Sequence, residues 1–418
     1  MRLKAVGFAL VMIASVAPLG FAQEPDVVDD SVLANATSRS VQVTPHDLTN
    51  GQAHSRFGIF GIDSVPNFNL HFFADGVDST GSPNRHWYTN TVGNPPQMGR
   101  TTVIKSPLQP VNVELDDVNG NVRVINGQAM ISSAVPFVVP VLNSPVFSNA
   151  LYSSGSTPTQ FTDAVQRAEF FNHPMKPDWH TLLSPQPAAP LTVHIRQAAT
   201  CTGGFTGCNY YFTLNANGTC CRFILININP FINALVGVVL TDIRGNVITT
   251  QDISSFLFPN TFLYFSDRRV CCVLGFHTYF FAPDSDPEMR WVLNYSSWIT
   301  PGLFGTSFSD VTPLSHEIAE TFNDPFVVSD GVHNLTPWWR SPNGNCQNNL
   351  EVGDAIEGLP NSTFPMTMNG FTYHPQNEAL LQWFQFQMPS DALDGAYSYP
   401  NQTLLTQPSA PQKVNCAP

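Results

Sequence analysis

Between residues 291 and 412 eleven Asp and Glu side chains share the chain with a single base, Arg340. Whatever this stretch folds into must place those acids, because clustered carboxylates repel one another and take up protons unless a cation sits among them. Charge is scarce elsewhere too: Asp, Glu, Lys and Arg make up 12% of 418 residues, against 43% hydrophobic. Such a chain folds, since disorder goes with high charge and low hydrophobicity. It cannot clothe the outer faces of many long amphipathic helices. With 35 Pro, 27 Gly and 31 Phe, it is expected to form short strands, turns and loops with a few helices.

The N-terminus reads as an export signal. Arg2 and Lys4 precede the apolar run AVGFALVMIASVAPLGFA, and Gly20 and Ala22 fit cleavage after Ala22. No later segment reads as a membrane span, because Asn and Pro interrupt the apolar stretch 223–240. The expected location is extracellular or periplasmic. Export would put the eight Cys, all in the second half, in an oxidising compartment, where an even count predicts disulfides of open connectivity. Without Arg2 and Lys4 the formal charge falls from −13 to −15, which excludes a generic nucleic-acid binder.

The chain is expected to divide into a signal peptide (1–22), a mobile leader (23–55), a β-rich N-terminal domain (56–190) and a second domain (191–418). VNVELDDVNGNVRVIN alternates on both sides of Asn119-Gly120 and predicts a hairpin with a two-residue turn. AVPFVVPVLNSPVF, with Pro136, Pro140 and Pro145, reads as an edge strand or extended segment. Residues 157–171 carry an apolar stripe of Phe161, Ala164, Val165, Ala168 and Phe171 and predict a helix, with Asp163–Arg167 as an i,i+4 surface pair. The Pro-rich stretch 182–195 is the candidate domain boundary.

One short motif carries chemistry. In SHEIAETFNDP (315–325), Thr312-Pro313 predicts a helix start. Helical spacing then puts Leu314, Ile318, Ala319 and Phe322 on the buried side, with His316, Glu317 and Glu320 opposite. His316 and Glu320, one turn apart, can reach one cation, and Glu317 stands beside them where a zincin holds its general base. An ordinary wet helix face fits the same spacing. The unanswered acids and a second acidic motif, LEVGDAIEG (350–358), favour a metal site, with Glu351 and then Asp354 as the third ligand. Asp324-Pro325 reads as a helix stop, and Trp338 and Trp339 as core residues.

The succession HEIAE (316–320), NDP (323–325), EVGD (351–354) and MNGFTYHPQNEALLQW (368–383) resembles secreted bacterial proteins of unassigned activity that carry a HExxE motif. Locally it is similar to the plant EXORDIUM-type (phosphate-induced) extracellular family, and VCCVLGFHTYF (270–280) resembles that family's Cys-Gly-aromatic-His stretch. The likeness covers about 270–385. It picks out His316, Glu317, Glu320, Glu351 and Asp354, with His277 as an outlying candidate. The chain departs from the plant pattern at Ile356, where a Cys is expected and Cys346 would take over its bridge. It departs from zincin peptidases at Glu320, a harder donor than imidazole that lets calcium or manganese compete with zinc.

Together these readings predict an α+β protein with a zincin-like C-terminal half and a β-rich N-terminal half. The expected function is a secreted metal-dependent hydrolase, a metallopeptidase, acting on a peptide or cell-surface polymer. Zinc would be held by His316, Glu320, Glu351 and Asp354, with Glu317 as general base. The alternative is a non-catalytic extracellular or cell-surface binding protein whose cation site is degenerate or structural.

Overall fold

The computed structural model of the protein describes residues 26–28, 30–33, 46–47 and 62–416, except 154–155, 174–176, 214–220, 283–284, 306 and 328–335. The expected signal peptide lies outside them. Strand accounts for 39% and helix for 18%, so strands dominate as the composition predicts, and the fold is mixed α/β.

The large sheet is built around β1 (Thr101–Asp116). Strands β2 (His180–Pro187) and β3 (Leu191–Arg196) lie end to end along one edge of β1, both parallel to it. Then follow β4 (Ile253–Pro259) on the other edge, β5 (Gly275–Ala282) and the long β6 (Glu288–Phe304). The order across the sheet is β5-β6-β4-β1-β3, with β4 parallel to both of its neighbours and β5 antiparallel to β6. The sheet therefore runs through the Pro-rich stretch near residue 190, where the prolines mark a jog between two strands that share a partner.

The longer helices are α1 (Val135–Leu142), α2 (Phe161–Glu169), α3 (Ile228–Arg244) and α4 (Thr312–Asn323). They cover both faces of the sheet, which is why β4 is buried along its whole length. Phe256 and Phe258 of β4 and Phe276 and Phe280 of β5 pack with Phe231 and Leu235 of α3. Ile253 and Leu257, with Tyr279 and Phe281 of β5, face the opposite way and meet Leu314, Ile318 and Phe322 of α4. Strand alternation places His277 on the same side as Tyr279 and Phe281, toward α4. The helix expected within 157–171 is α2, which packs on α4 through Ala164, Val165, Ala168 and Ala319.

Several local expectations change. Residues 135–142 form the helix α1 and not an edge strand: Pro136 sits in its first turn, where no hydrogen bond is lost, and Phe137, Val138, Val141 and Leu142 form one apolar face. The turn at Asn119-Gly120 spans Asp117 to Asn121, because Asp117 Oδ1 accepts from the Asn119 and Asn121 N–H groups. Asp163 is buried and pairs with His180 Nδ1 at 2.8 Å and Thr159 Oγ1 at 2.6 Å, while Arg167 donates to the Trp179 carbonyl. Within 23–55, Asp26 is buried against Arg123, and His46–Asp47 pairs with β5, so these parts of the expected mobile leader are anchored. Cys201–Cys208, Cys271–Cys272 and Cys346–Cys416 are disulfides, and no described Cys is free. No described helix is long and apolar enough to cross a membrane.

Glu169 ties α2 to α4. It is fully buried, its Oε1 accepts from Asn323 Nδ2 at 3.1 Å, and its Oε2 has no hydrogen-bond partner. Burial lifts its carboxyl from 4.5 to about 8. Folded protein thus holds this proton more tightly than unfolded protein. Its contribution is complete below about pH 4.5 and is lost as pH rises through about 8. Denaturant unfolding should show stability falling by about 1 kcal/mol per pH unit across that window from this group. Glu169→Gln should remove that slope; parallel profiles for the two proteins would assign the proton elsewhere.

Candidate metal centre

All twelve residues of α4 are buried, including His316 (7% exposed), Glu317 (5%) and Glu320 (1%). The polar side predicted from helical spacing is therefore real, but it is dry. Val311 precedes the helix and Pro313 stands in its first turn, so the start falls one residue from the expected cap. Two elements close over the polar side: β5, which brings His277, and the segment 350–357. In that segment Leu350, Val352, Ala355 and Ile356 enter a core shared with Ala319, Trp339 and Trp383, which turns Glu351 and Asp354 back toward α4. Trp339 is fully buried edge-on to Trp383 and Phe384, a core residue as expected.

Two glycines permit the close approach. A Cβ on Gly353 would lie 2.5 Å from His316 Nδ1, and one on Gly275 would lie 2.5 Å from Glu317 Oε1. The Gly353 and Asp354 N–H groups donate to Glu320 Oε1 at 3.2 and 3.3 Å, locking the loop to the helix. Asn349 Nδ2 holds Glu351 Oε1 at 2.8 Å, Gln347 Nε2 holds Asp354 Oδ2 at 2.6 Å, and Gln376 Nε2 holds the Gly353 carbonyl at 2.8 Å.

The result is a small pocket lined by His277, His316, Glu317, Glu320, Glu351, Asp354 and Glu357, with Leu274, Phe276, Phe308 and Pro313 among its apolar walls. His316 Nε2 lies 3.1 Å from Glu320 Oε1, 3.6 Å from Asp354 Oδ1 and 3.9 Å from Glu317 Oε1. His277 Nδ1 lies 3.4 Å from Glu320 Oε2, 3.6 Å from Glu317 Oε2 and 3.7 Å from Glu351 Oε2. Ligand atoms around one tetrahedral ion stand about 3.3 Å apart, so these are separations a cation would set. His277 Nε2 lies 3.1 Å from the Asp324 carbonyl. A hydrogen bond there orients the ring so that Nδ1 is aimed at the carboxylates, the orientation a metal-ligating imidazole takes.

Electrostatics point the same way. Five carboxylates and two imidazoles line the pocket, with no Lys or Arg among the lining residues. Burial pushes the Glu317 carboxyl up, the nearby His316 opposes it, and the balance stands at about 7. Burial also raises Glu351 well above the usual range, and neighbouring Glu320 and Asp354 add to it. Glu320 goes the other way: burial would raise it, but His316 and His277 hold it far down. Burial alone would lower both imidazoles, yet the surrounding carboxylates lift His277 to about 10 and His316 well above its ordinary value. Protons are standing in for positive charge that the chain does not supply.

All five sequence-derived site residues meet here, in a different arrangement from that expected. Asp354 is the carboxylate on the His316 side, whereas Glu351 faces His277. His277 is a principal member and not an outlying one; period-two alternation across FHTYF, anchored by Tyr279 and Phe281, carries that signal. Asp324, expected to serve as a helix stop, is fully buried, groups with His277 and Glu351, and has an Oδ1 with no hydrogen-bond partner. Burial raises its carboxyl to about 7. Glu378, fully buried with both carboxylate oxygens unpartnered, is a neighbouring acid that no motif reveals. Ser309, Asp310 and His374 also meet, but Ser309 Oγ and Asp310 Oδ2 both approach Nδ1 of His374, at 3.1 and 2.7 Å. That ring cannot relay a proton between them as a serine triad requires. No family model, curated protein or solved structure matches this chain significantly.

Buried His, Glu and Asp groups here could therefore hold a metal ion. Because an added Cβ would stand 2.5 Å from the buried His316 ring, Gly353→Ala should cost about 1–3 kcal/mol of stability and lower metal affinity about tenfold or more. Gly237 on α3 has nothing within 4 Å of an added Cβ, so Gly237→Ala serves as the tolerated control. Calorimetric metal titration of both variants checks this, and equal affinity in the two would refute the packing argument.

Proposed function

We propose that this chain is a secreted, metal-dependent hydrolase with a zincin-like C-terminal half, and that peptides are its substrate class. The observation that carries the reading is the convergence of His316, His277, Glu320, Asp354 and Glu351 in a pocket with no basic residue among its lining. Two imidazole nitrogens among carboxylate oxygens suit a divalent transition cation, zinc in the first instance, better than calcium, which prefers oxygen alone. When bound, such a cation acidifies water and polarises a carbonyl.

The chain's own residues supply the rest. Glu317 takes the general-base role, with a carboxyl poised near neutral pH at about 7 before metal binds. Both of its oxygens face the pocket centre, one toward each histidine, and Gly275 lets it stand close to β5 without a side chain intervening. Leu274, Phe276, Phe308 and Pro313 give the pocket apolar walls that limit the access of water to the carboxylates. The disulfides fit an oxidising, extracellular or periplasmic setting.

Protein purified without chelator should carry metal by inductively coupled plasma mass spectrometry, and His316→Ala should lose it. Against a fluorogenic peptide library, Glu317→Gln should retain metal and thermal stability while turnover falls about 100-fold or more, the upper part of a general base's contribution. Metal-bound wild type that cleaves no peptide in the library, with Glu317→Gln indistinguishable from it, would leave a cation-dependent binding protein in place of a hydrolase.

A further inference from the structure

The two oxygens of Glu320 are used by different histidines. Oε1 lies 3.1 Å from His316 Nε2, and Oε2 lies 3.4 Å from His277 Nδ1. Each imidazole then has carboxylates of its own: Asp354 on the His316 side, Glu351 and Asp324 on the His277 side. Among the described residues, His316 groups with Glu320 and Asp354, while His277 groups with Glu317 and Glu320 and, separately, with Asp324 and Glu351. The two imidazoles thus stand in separate ligand groups joined by Glu320.

From this geometry we infer that the pocket is a two-cation centre in which the Glu320 carboxylate bridges the ions. His316 and Asp354 complete one position; His277 and Glu351 complete the other, with Asp324 grouped beside these two. The inference rests on the metal reading of the pocket given above and extends it. Two further observations support it. Asp324 Oδ1 is fully buried and without a hydrogen-bond partner, although its carboxylate groups with His277 and Glu351, so it is a donor with nothing to bind in the protein itself. Charge is compatible with a second ion: Glu317, Glu320, Glu351, Asp354, Glu357 and Asp324 present six negative charges when ionised beside neutral imidazoles, of which one divalent cation offsets two and two cations offset four. Carboxylate-bridged ion pairs stand about 3.5–4 Å apart and clamp the attacking and leaving oxygens of a displacement, which suits the hydrolytic reading.

The test uses the full chain freed of metal and reconstituted with Mn²⁺ or Zn²⁺ alone. Mass spectrometry should give two zinc equivalents per chain, falling to one in Asp354→Asn and to one in Glu351→Gln. Electron paramagnetic resonance of the manganese form should show an exchange-coupled multiline spectrum, replaced by isolated six-line signals in Glu320→Gln. The wild-type spectrum decides the matter even where a variant fails to fold. One equivalent with an uncoupled six-line spectrum overturns the bridged pair and leaves the single-metal hydrolase standing. Two uncoupled equivalents also overturn the bridge. No bound metal removes both this inference and the metal reading beneath it.

Discussion

The architecture around α4 depends on one constraint: imidazoles and carboxylates are packed together away from water in a region of sequence with almost no base. A wet helix face would leave His316, Glu317 and Glu320 hydrated, but β5 and the segment 350–357 cover them. Removing several like charges from water costs several kcal/mol per ion unless each is paired. In the protein alone that cost is met by proton uptake, which is why Glu351 and Asp324 titrate high while Glu320, between two imidazoles, titrates low. The neighbouring apolar packing depends on the same closure. Leu350, Val352, Ala355 and Ile356 reach their core only because Glu351 and Asp354 are accepted on the other side of the same segment.

How legible this is in the sequence varies with the kind of signal. Helical periodicity describes α4 correctly face by face, because Leu314, Ile318 and Phe322 recur at the spacing that one side of a helix presents. It cannot say whether the opposite face is wet or covered, since that depends on segments about 40 residues away on either side. His277 carries little weight in the sequence because a lone histidine in an apolar strand is ordinarily a core residue. Strand alternation places it opposite Phe276 and Phe280 and on the side of α4, but that side is known only once β5 is paired with β6. Asp324 looks like a helix stop because a proline follows it, and a local stop signal masks a long-range contact.

Proline misleads twice, for one reason. Its missing N–H excludes it from the middle of a ladder, yet it tolerates the first turn of a helix and a jog between strands. In 135–142 the apolar residues recur with a helical and not a strand period, and that periodicity outweighs the two prolines. In 182–195 the prolines mark the break between two strands that share β1, where a boundary and a jog share the same composition.

The disulfides bear on how the pocket holds its form. Cys271–Cys272 stands just ahead of Gly275 and His277, and Cys346–Cys416 closes a segment of 70 residues that contains Glu351, Asp354 and Gln376. Both elements that close over α4 therefore begin next to a covalent link. Closing the long 346–416 loop removes conformational freedom from the unfolded chain and so stabilises the segment that carries Glu351 and Asp354. Asn343, Asn345 and Gln376 carry this inward: their side-chain amides hold the carbonyls of Asp354 and Gly353 at 2.7 to 2.9 Å. Gly353 and Asp354 in turn fix Glu320 through their N–H groups. The carboxylate that both histidines face is thus positioned by backbone, and the backbone by amides and a disulfide. Glu320 thereby locks the loop to the helix with one oxygen while the other stays turned toward His277.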